Sequence, residues 1–309
     1  MTSHKSFDVL VAGEINPDLI LTGNVKPEFG QVEKLVDSAA LTIGSSSAIF
    51  ACGAARLGLK VTFIGVCGQD VFGRFMLEEM QKRDVDVQYV ILRHDGQTGF
   101  SVILNQAPDR AILTYPGMIP ALQASDIADD LLGQARHLHV ASYFLQTGLQ
   151  SGLPGLFQRA HSQGVTTSLD TNYDPSGQWL GINKLLEDTN IFLPNQTEAL
   201  SIVKSQDIEF AARSLAKKAK IVAVKLGPDG GLACSQGDLV RSPSLQVNTV
   251  DTVGAGDSFD AGFIYGFLND WDLESSLRLG CVCGALSTRQ AGGTNGQPTF
   301  REAMIHVPA

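Results

Sequence analysis

Asp251-Thr252-Val253-Gly254-Ala255-Gly256-Asp257-Ser258-Phe259-Asp260-Ala261-Gly262 is the stretch from which the rest of this 309-residue chain can be read. Two glycines flank one alanine, a carboxylate follows at once, and an apolar run continues through Phe263, Ile264, Phe267 and Leu268. The run predicts a helix with Asp257 in its first turn. A helix start leaves backbone N–H groups unpaired and carries the positive end of the macrodipole. Gly254 and Gly256 let the chain turn tightly and bring bare backbone close to an anion. Two readings stand here: a phosphate-sized cradle with a carboxylate at its edge, or a Gly-rich N-cap in which Asp257 merely answers the dipole. In the first, Asp257 accepts the proton of an attacking alcohol while the amides stabilise charge on a phosphoryl group. The same amides are expected to lower its pKa. A loose phosphoryl-transfer transition state tolerates a weak base, since it needs positioning and charge stabilisation more. No Lys-Ser or Lys-Thr follows as in a P-loop, and Phe259 stands where a dinucleotide fingerprint has Gly.

The totals narrow the class. Apolar residues make up 44% and charged residues 18%, which is ordinary for a globular enzyme. The formal net charge is −9 with no block of like charges, which argues against a nucleic-acid surface. Five cysteines (52, 67, 234, 281, 283) form no CxxC pair, so neither a disulfide framework nor a zinc site is expected. The histidines (4, 94, 137, 139, 161, 306) show no metal spacing and read as structural or solvated. Met1 to Asp8 holds no apolar core of signal-peptide length, and no run approaches a membrane span. The expectation is a soluble cytoplasmic protein that binds neither nucleic acid nor membrane.

Phe7 to Gly13 is a short apolar run ending in Gly and predicts a buried parallel strand. Asn16-Pro17-Asp18 after it reads as a turn or as a pair of polar contacts. Ile43-Gly44-Ser45-Ser46-Ser47 precedes a helix of small and apolar residues from Ala48 to Leu57. Thr98 to Asn105 and Arg110 to Tyr115 are β-rich and separated by Pro108-Asp109, a hairpin signal. With residues 15–43 they would make a small sheet. From residue 136 the pattern becomes βαβα: strands at His137–Ala141, Val165–Asp170, Asn190–Leu193 and Ile221–Lys225 alternate with helices around 149–163, 196–203 and 208–219. That alternation predicts a parallel sheet between helical layers, with ligands at the carboxyl ends of its strands. Asn195-Gln196-Thr197-Glu198 is, taken alone, a helix N-cap with Glu198 in the first turn.

The stretch from Asp251 to Gly262 resembles the C-terminal signature of the ribokinase-like (PfkB) carbohydrate kinases, and the resemblance extends over nearly the whole chain. It implies a single α/β domain over 1–309, a ribokinase-like three-layer sandwich with a central mostly parallel sheet. A small β-sheet lid would be built from about 15–43 and 96–117. It further implies ATP-dependent phosphorylation of a sugar or nucleoside hydroxyl, with Asp257 as base and Gly254, Ala255 and Gly256 as the anion hole. By the same match Asn16 and Asp18 hold sugar hydroxyls, and Gly44 and Ser45 open the helix that grips the sugar. The family has a Gly-Gly pair there, so Ser45 is a departure, as is Ile49 where ribokinase carries Asn. Phe100 and Arg110 are candidates to close over the substrate; a lid-core aromatic and a surface charge are the plainer readings. Ser168 to Asp174 is similar to the Asp-x-Asn-x-Arg segment of 2-keto-3-deoxygluconate and fructose kinases, which carries Asp170 to the substrate side. Asp174 replaces their Arg, which favours an uncharged substrate.

On the nucleotide side the resemblance implies that Asn195 and Glu198 organise Mg²⁺ and phosphates, Glu198 through water. Lys225, Gly227, Gly230 and Thr252 would line the ATP site; Lys225 either neutralises a phosphate or is simply solvated. The loop Ala291 to Gly296, with Asn295, would turn over the adenine. Asp251 and Ser287 lie where relatives hold K⁺. A homodimer through the lid is a further implication. Fructose or another neutral sugar is the first acceptor expected and a nucleoside such as adenosine the second. A catalytically silent sugar or nucleotide sensor is the rival from another class.

Overall fold

The computed structural model describes residues 5–106 and 109–307. His4 and the Pro108 of the expected hairpin turn lie outside the described residues, as does the start of the N-terminal segment. Fifteen strands form three sheets among the described residues. In chain order they are β1 (Phe7–Ala12), β2 (Pro17–Thr22), β3 (Ser38–Ile43), β4 (Val61–Ile64), β5 (Val66–Gly68), β6 (Val85–Asp86), β7 (Ile91–Arg93) and β8 (Phe100–Gln106). They continue with β9 (Asp109–Tyr115), β10 (Ala135–Val140), β11 (Thr166–Leu169), β12 (Ile191–Phe192), β13 (Ile221–Lys225), β14 (Gly231–Ser235) and β15 (Asp238–Ser242).

The large sheet runs β15-β14-β13-β12-β11-β10-β1-β4-β6. Every pairing from β13 to β6 is parallel, while β14 and β15 add antiparallel to the other edge. Alternation along β1 shows why two helical layers are needed. Val9 and Val11 enter one apolar cluster, with the helices Ser46–Arg56, Ala255–Leu268 and Leu273–Ser287. Leu10 and Ala12 enter the other, with the helices Leu153–Ser162, Gln196–Val203 and Ile208–Leu215. Both faces of the strands are dry, as a parallel sheet between helices requires. Each fully buried Leu, Ile or Phe in these layers contributes roughly 1.5–3 kcal/mol of transfer free energy. The architecture is the three-layer α/β sandwich, with a mostly parallel central sheet, that the sequence implies.

A second, four-stranded sheet runs β3-β2-β8-β9. It brings Asp18 of β2 opposite Ser101 of β8 and Thr42 of β3. Its edge strand β3 is mostly exposed. β5 and β7 make a parallel pair of their own.

All five cysteines are buried and free. His137 and His139 share the hydroxyl of Ser168, at 2.7 and 2.8 Å, inside the sheet. Burial pushes the His137 imidazole down to about 3, so it stays neutral at physiological pH. Among the described residues no helix is long and apolar enough to cross a membrane.

Candidate active site

The polar residues that interrupt the apolar core gather at the carboxyl ends of the parallel strands, where a sheet of this kind leaves a crevice. Glu14 and Asn16 follow β1, Ser142 follows β10, Asp170 to Asn172 follow β11, Asn195 follows β12 and Lys225 ends β13. The cradle faces them. Gly254 caps the 14-residue helix Ala255–Leu268 in a left-handed conformation, φ 73°. A Cβ there would also meet the Cα and carbonyl oxygen of Gly293 at 2.7 Å, so the turn needs glycine for two reasons. Ile49 packs against the same glycine pair, so the position where ribokinase carries Asn forms an apolar wall of the cradle.

Asp257, in the first turn, is buried, and ligand oxygens of Asp170, Asp257 and Asp260 lie within 4.8 Å of one another. The Lys225 ammonium bridges two of them, at 2.7 Å to Asp170 Oδ2 and 3.1 Å to Asp260 Oδ2. Lys225 is thus neither solvated nor an unattached cation at a strand end. Burial opposes its charge, but Asp170, Asp260 and Glu198 outweigh that and hold its pKa above the ordinary lysine value. One ammonium does not offset this many carboxylates. Burial first, then the charge of Asp170, pushes Asp257 up to about 8; Lys225 and a hydrogen bond from Ser46 pull the other way. This reverses the expectation that the helix amides leave Asp257 a weak base: desolvation and like charge win over the dipole. Burial and Asp170 likewise raise Glu198 to about 7, and burial holds Asp260 well above the usual carboxylate range.

On the side of the small sheet, a Cβ on Gly44 would fall 2.2 Å from Asp18 Oδ1 and 2.8 Å from the carbonyl oxygen of Asn16. Glycine is what lets the Asp18 carboxylate press against the backbone. Burial raises Asp18 to about 7, against the Ser101 hydrogen bond and the charge of Arg110. Ser45 caps the helix Ser46–Arg56, its hydroxyl accepting from Ala48 N at 3.0 Å and donating to the Glu14 carbonyl at 2.6 Å. Phe100 is half-buried in a ring cluster, 5.2 Å from Phe72 of the helix Val71–Gln81 and 5.8 Å from Tyr115 of β9.

Asp174 is buried and turned into its own loop. It accepts from Ser176 N at 2.8 Å and Trp179 N at 2.6 Å, and these bonds outweigh burial and keep its pKa low.

Asn195 and Glu198 form a reciprocal capping box: Asn195 Oδ1 accepts from Glu198 N at 2.9 Å, and Glu198 Oε2 accepts from Asn195 N at 2.8 Å. Asn195 Nδ2 also donates to Glu198 Oε1 at 2.6 Å, which is the plain N-cap arrangement, and the carboxyl still feels the charge of Asp170. Glu198 and Asp170, two buried carboxylates that share the Lys225 ammonium with Asp260, fit a divalent cation held largely through water.

A groove of about 260 Å³ runs beside the cradle. Lys225, Gly227, Gly230, Thr252, Ala255 and Gly256 line one part, and Leu245, Val247 and Ala285 give it an apolar wall. A slot with an apolar wall that also reaches a helix N-terminus suits a ligand with an aromatic ring and a phosphate tail. Asn295 does not line it; its amide nitrogen donates to the Ala291 carbonyl at 2.9 Å. Asp251 takes hydrogen bonds from Gly292 N at 2.9 Å and Val253 N at 3.0 Å, while the Ser287 hydroxyl donates to the Gly284 carbonyl. Asp251 ties its own segment to the loop at Gly292, whereas the Ser287 bond stays within the helix Leu273–Ser287.

Sequence reasoning missed Glu14, Asn172 and Asp260. Glu14 is buried and accepts from Ser47 Oγ at 2.5 Å and Ser142 Oγ at 2.9 Å, and burial raises its pKa. Asn172, at φ 51°, accepts from Ser142 N and donates to Ser46 Oγ, tying the crevice wall to the first helix. For Glu14 the available signal was an acid placed directly after the glycine that closes the first apolar run.

The sequence profile described as pfkB family carbohydrate kinase matches residues 7–300. The chain is 33% identical over 249 residues to an uncharacterized sugar kinase of Archaeoglobus fulgidus, covering 80% of this chain and 98% of that one. It is 30% identical over 288 residues to the ATP-dependent ribose-1-phosphate kinase of Halopiger xanaduensis, covering 92% and 93%. A crystal structure of a putative ribokinase II from E. coli in complex with ATP and Mg²⁺ superposes with a TM-score of 0.86 at 22% identity, covering 97% and 99%. With the cradle, the crevice and the sandwich in place, the match fixes the family: the chain belongs to the pfkB family of carbohydrate kinases.

Proposed function

We propose that the protein transfers the γ-phosphoryl group of ATP to a hydroxyl of a small neutral sugar. The observation that carries this is the position of Asp257. It is a buried carboxylate with raised proton affinity, in the first turn of a glycine-capped helix whose Ala255 and Gly256 line an apolar-walled groove, and it feels the Asp170 and Glu14 carboxylates and a hydrogen bond from Ser46. Asp257 takes the proton of the attacking hydroxyl as the bond to phosphorus forms, and its pKa near operating pH suits that task. The N–H groups at the start of the helix and the Lys225 ammonium stabilise charge on the phosphoryl oxygens. Mg²⁺, when bound, neutralises phosphate charge, and Glu198 with Asp170 would hold it, largely through water.

Asn16 and Asp18 orient the sugar, and the sheet β3-β2-β8-β9 acts as the lid of one domain. A neutral acceptor is supported by Asp174, which stands where 2-keto-3-deoxygluconate and fructose kinases have Arg and, turned into its own loop, brings no cation to the acceptor. The exposed apolar residues of the lid, such as Leu113 at 62% exposure, support pairing of two lids in a homodimer. A K⁺ ion between the segments around Asp251 and Ser287 would add to the charge facing the cradle.

The test is coupled ADP release with Mg-ATP, in K⁺ and in Na⁺, over free sugars, sugar acids, sugar phosphates and nucleosides. One strong responder among the neutral sugars is expected. A response confined to sugar phosphates or acids would overturn the neutral-substrate reading, and ATP binding without turnover on any acceptor would favour a silent sensor.

A further inference from the structure

Asp260 has no part in the reaction as described, yet it is among the most deeply buried ionisable groups in the protein, 1% exposed. It lies three residues beyond Asp257 on the cradle helix, so the two carboxylates leave the same face. Its Oδ2 accepts from Lys225 Nζ at 3.1 Å, and its Oδ1 is buried with no hydrogen-bond partner among the described residues. Burying a half-satisfied carboxylate costs stability that a leucine of similar size would not. A residue retained for packing alone would not carry that cost.

The geometry of Lys225 gives the cost a use. Its ammonium has three N–H donors. One goes to Asp170 Oδ2 at 2.7 Å, at the end of β11, and one to Asp260, on the cradle helix. The ammonium lies 3.6 Å from where a Cβ on Gly256 would stand and lines the groove there. A lysine stem is flexible, and a single carboxylate would leave it free to swing. Two carboxylates from different elements fix the nitrogen along two directions.

We propose that Asp260 is a positioning residue: together with Asp170 it clamps the Lys225 ammonium beside Gly256, so that the third N–H is presented to the terminal phosphate of a nucleotide lying in the cradle. The inference rests on the nucleotide reading of the groove. The clamp acts on the γ-phosphate and not on the base, so it predicts a difference between ATP and ADP.

Calorimetric titration with Mg-ATP and with Mg-ADP, without acceptor, tests this on the wild type, Asp260→Asn, Lys225→Met and the double variant. Asp260→Asn should weaken Mg-ATP binding about ten-fold, the scale of one charge-assisted hydrogen bond, and leave Mg-ADP within about two-fold. Lys225→Met should do the same, and the double variant should bind no more weakly than Lys225→Met, because both changes remove one contact. Equal losses for ATP and ADP, additive losses, or unchanged ATP binding in Asp260→Asn would each overturn the proposal. If Asp260→Asn does not fold, Lys225→Met/Asp260→Leu, which removes both ionisable groups, is compared with Lys225→Met. An identical ATP-to-ADP preference supports the clamp, and a further loss of that preference contradicts it. A wild type that binds no Mg-ATP strikes the nucleotide reading itself; a wild type that binds it while the variants are indifferent strikes only the clamp.

Discussion

At the scale of the residue, Asp257 shows a conflict between two fields. The helix start favours its ionised form, while burial among Asp170 and Glu14 favours the protonated one and prevails, to about 8. Its native pKa is therefore above the unfolded value of 3.8. The native state binds the extra proton between those values, so this group's contribution to stability falls as pH rises through that window. Asp257→Asn removes the penalty. Its Tm should exceed the wild type's by an amount that grows from about pH 4 to pH 8 and then levels off, on the order of 2–4 °C for each kcal/mol relieved. Scanning calorimetry of both proteins across pH checks this, and a constant difference would contradict it. In the wild type kcat/KM should fall about ten-fold per pH unit below the Asp257 pKa. The place of Asp257 in the first turn of a helix was legible in the sequence because Gly254 and Gly256 come just before it. Its proton affinity was not, since that depends on Asp170 and Glu14, which only the fold brings near.

At the scale of the element, two glycines test how the site is assembled. Gly254→Ala places a Cβ 2.7 Å from Gly293 at a φ of 73°. The strain of a non-glycine residue there is about 1–2 kcal/mol before any clash, and turnover should drop with the distorted cradle. Gly44→Ala drives a Cβ into the Asp18 carboxylate, so it should raise KM for the sugar and leave nucleotide affinity unchanged. Initial-rate kinetics with each substrate varied separate these outcomes. The helix Gln196–Val203 falls where its cap residues Asn195 and Glu198 predict, because capping is a local code. β14 and β15 went unread between Gly231 and Ser242, and so did β5. These strands are short, and their pairing is set by β13 and β7 rather than by their own periodicity. Lys225 was legible as a strand end, but its clamp was not, because Asp170 and Asp260 are 55 and 35 residues away in sequence.

At the scale of the whole molecule, alternation of strands and helices after residue 136 is enough to predict a parallel sheet with its crevice at the carboxyl ends. The strand order is not in that pattern: β1 sits between β10 and β4, a long-range choice. The small sheet is similar in this respect, since β2 pairs with β8 across some eighty residues of chain, as Asp18 opposite Ser101 shows. Its outer strand β9 exposes Ile112 at 53% and Leu113 at 62%, on alternate faces. If two lids pair, Leu113→Glu should convert a dimer to a monomer in sedimentation velocity without lowering Tm by more than a few degrees. A wild type that sediments as a monomer would remove the lid from the assembly.

The central claim is that Asp257 is the base of a phosphoryl transfer, and Asp257→Asn turnover measured beside Mg-ATP binding tests it most directly. The account predicts a loss of at least about a hundred-fold in kcat with the responding sugar, in line with removal of a general base, and nucleotide affinity within a few-fold of the wild type. Near-wild-type kcat in a folded, ATP-binding Asp257→Asn would contradict it.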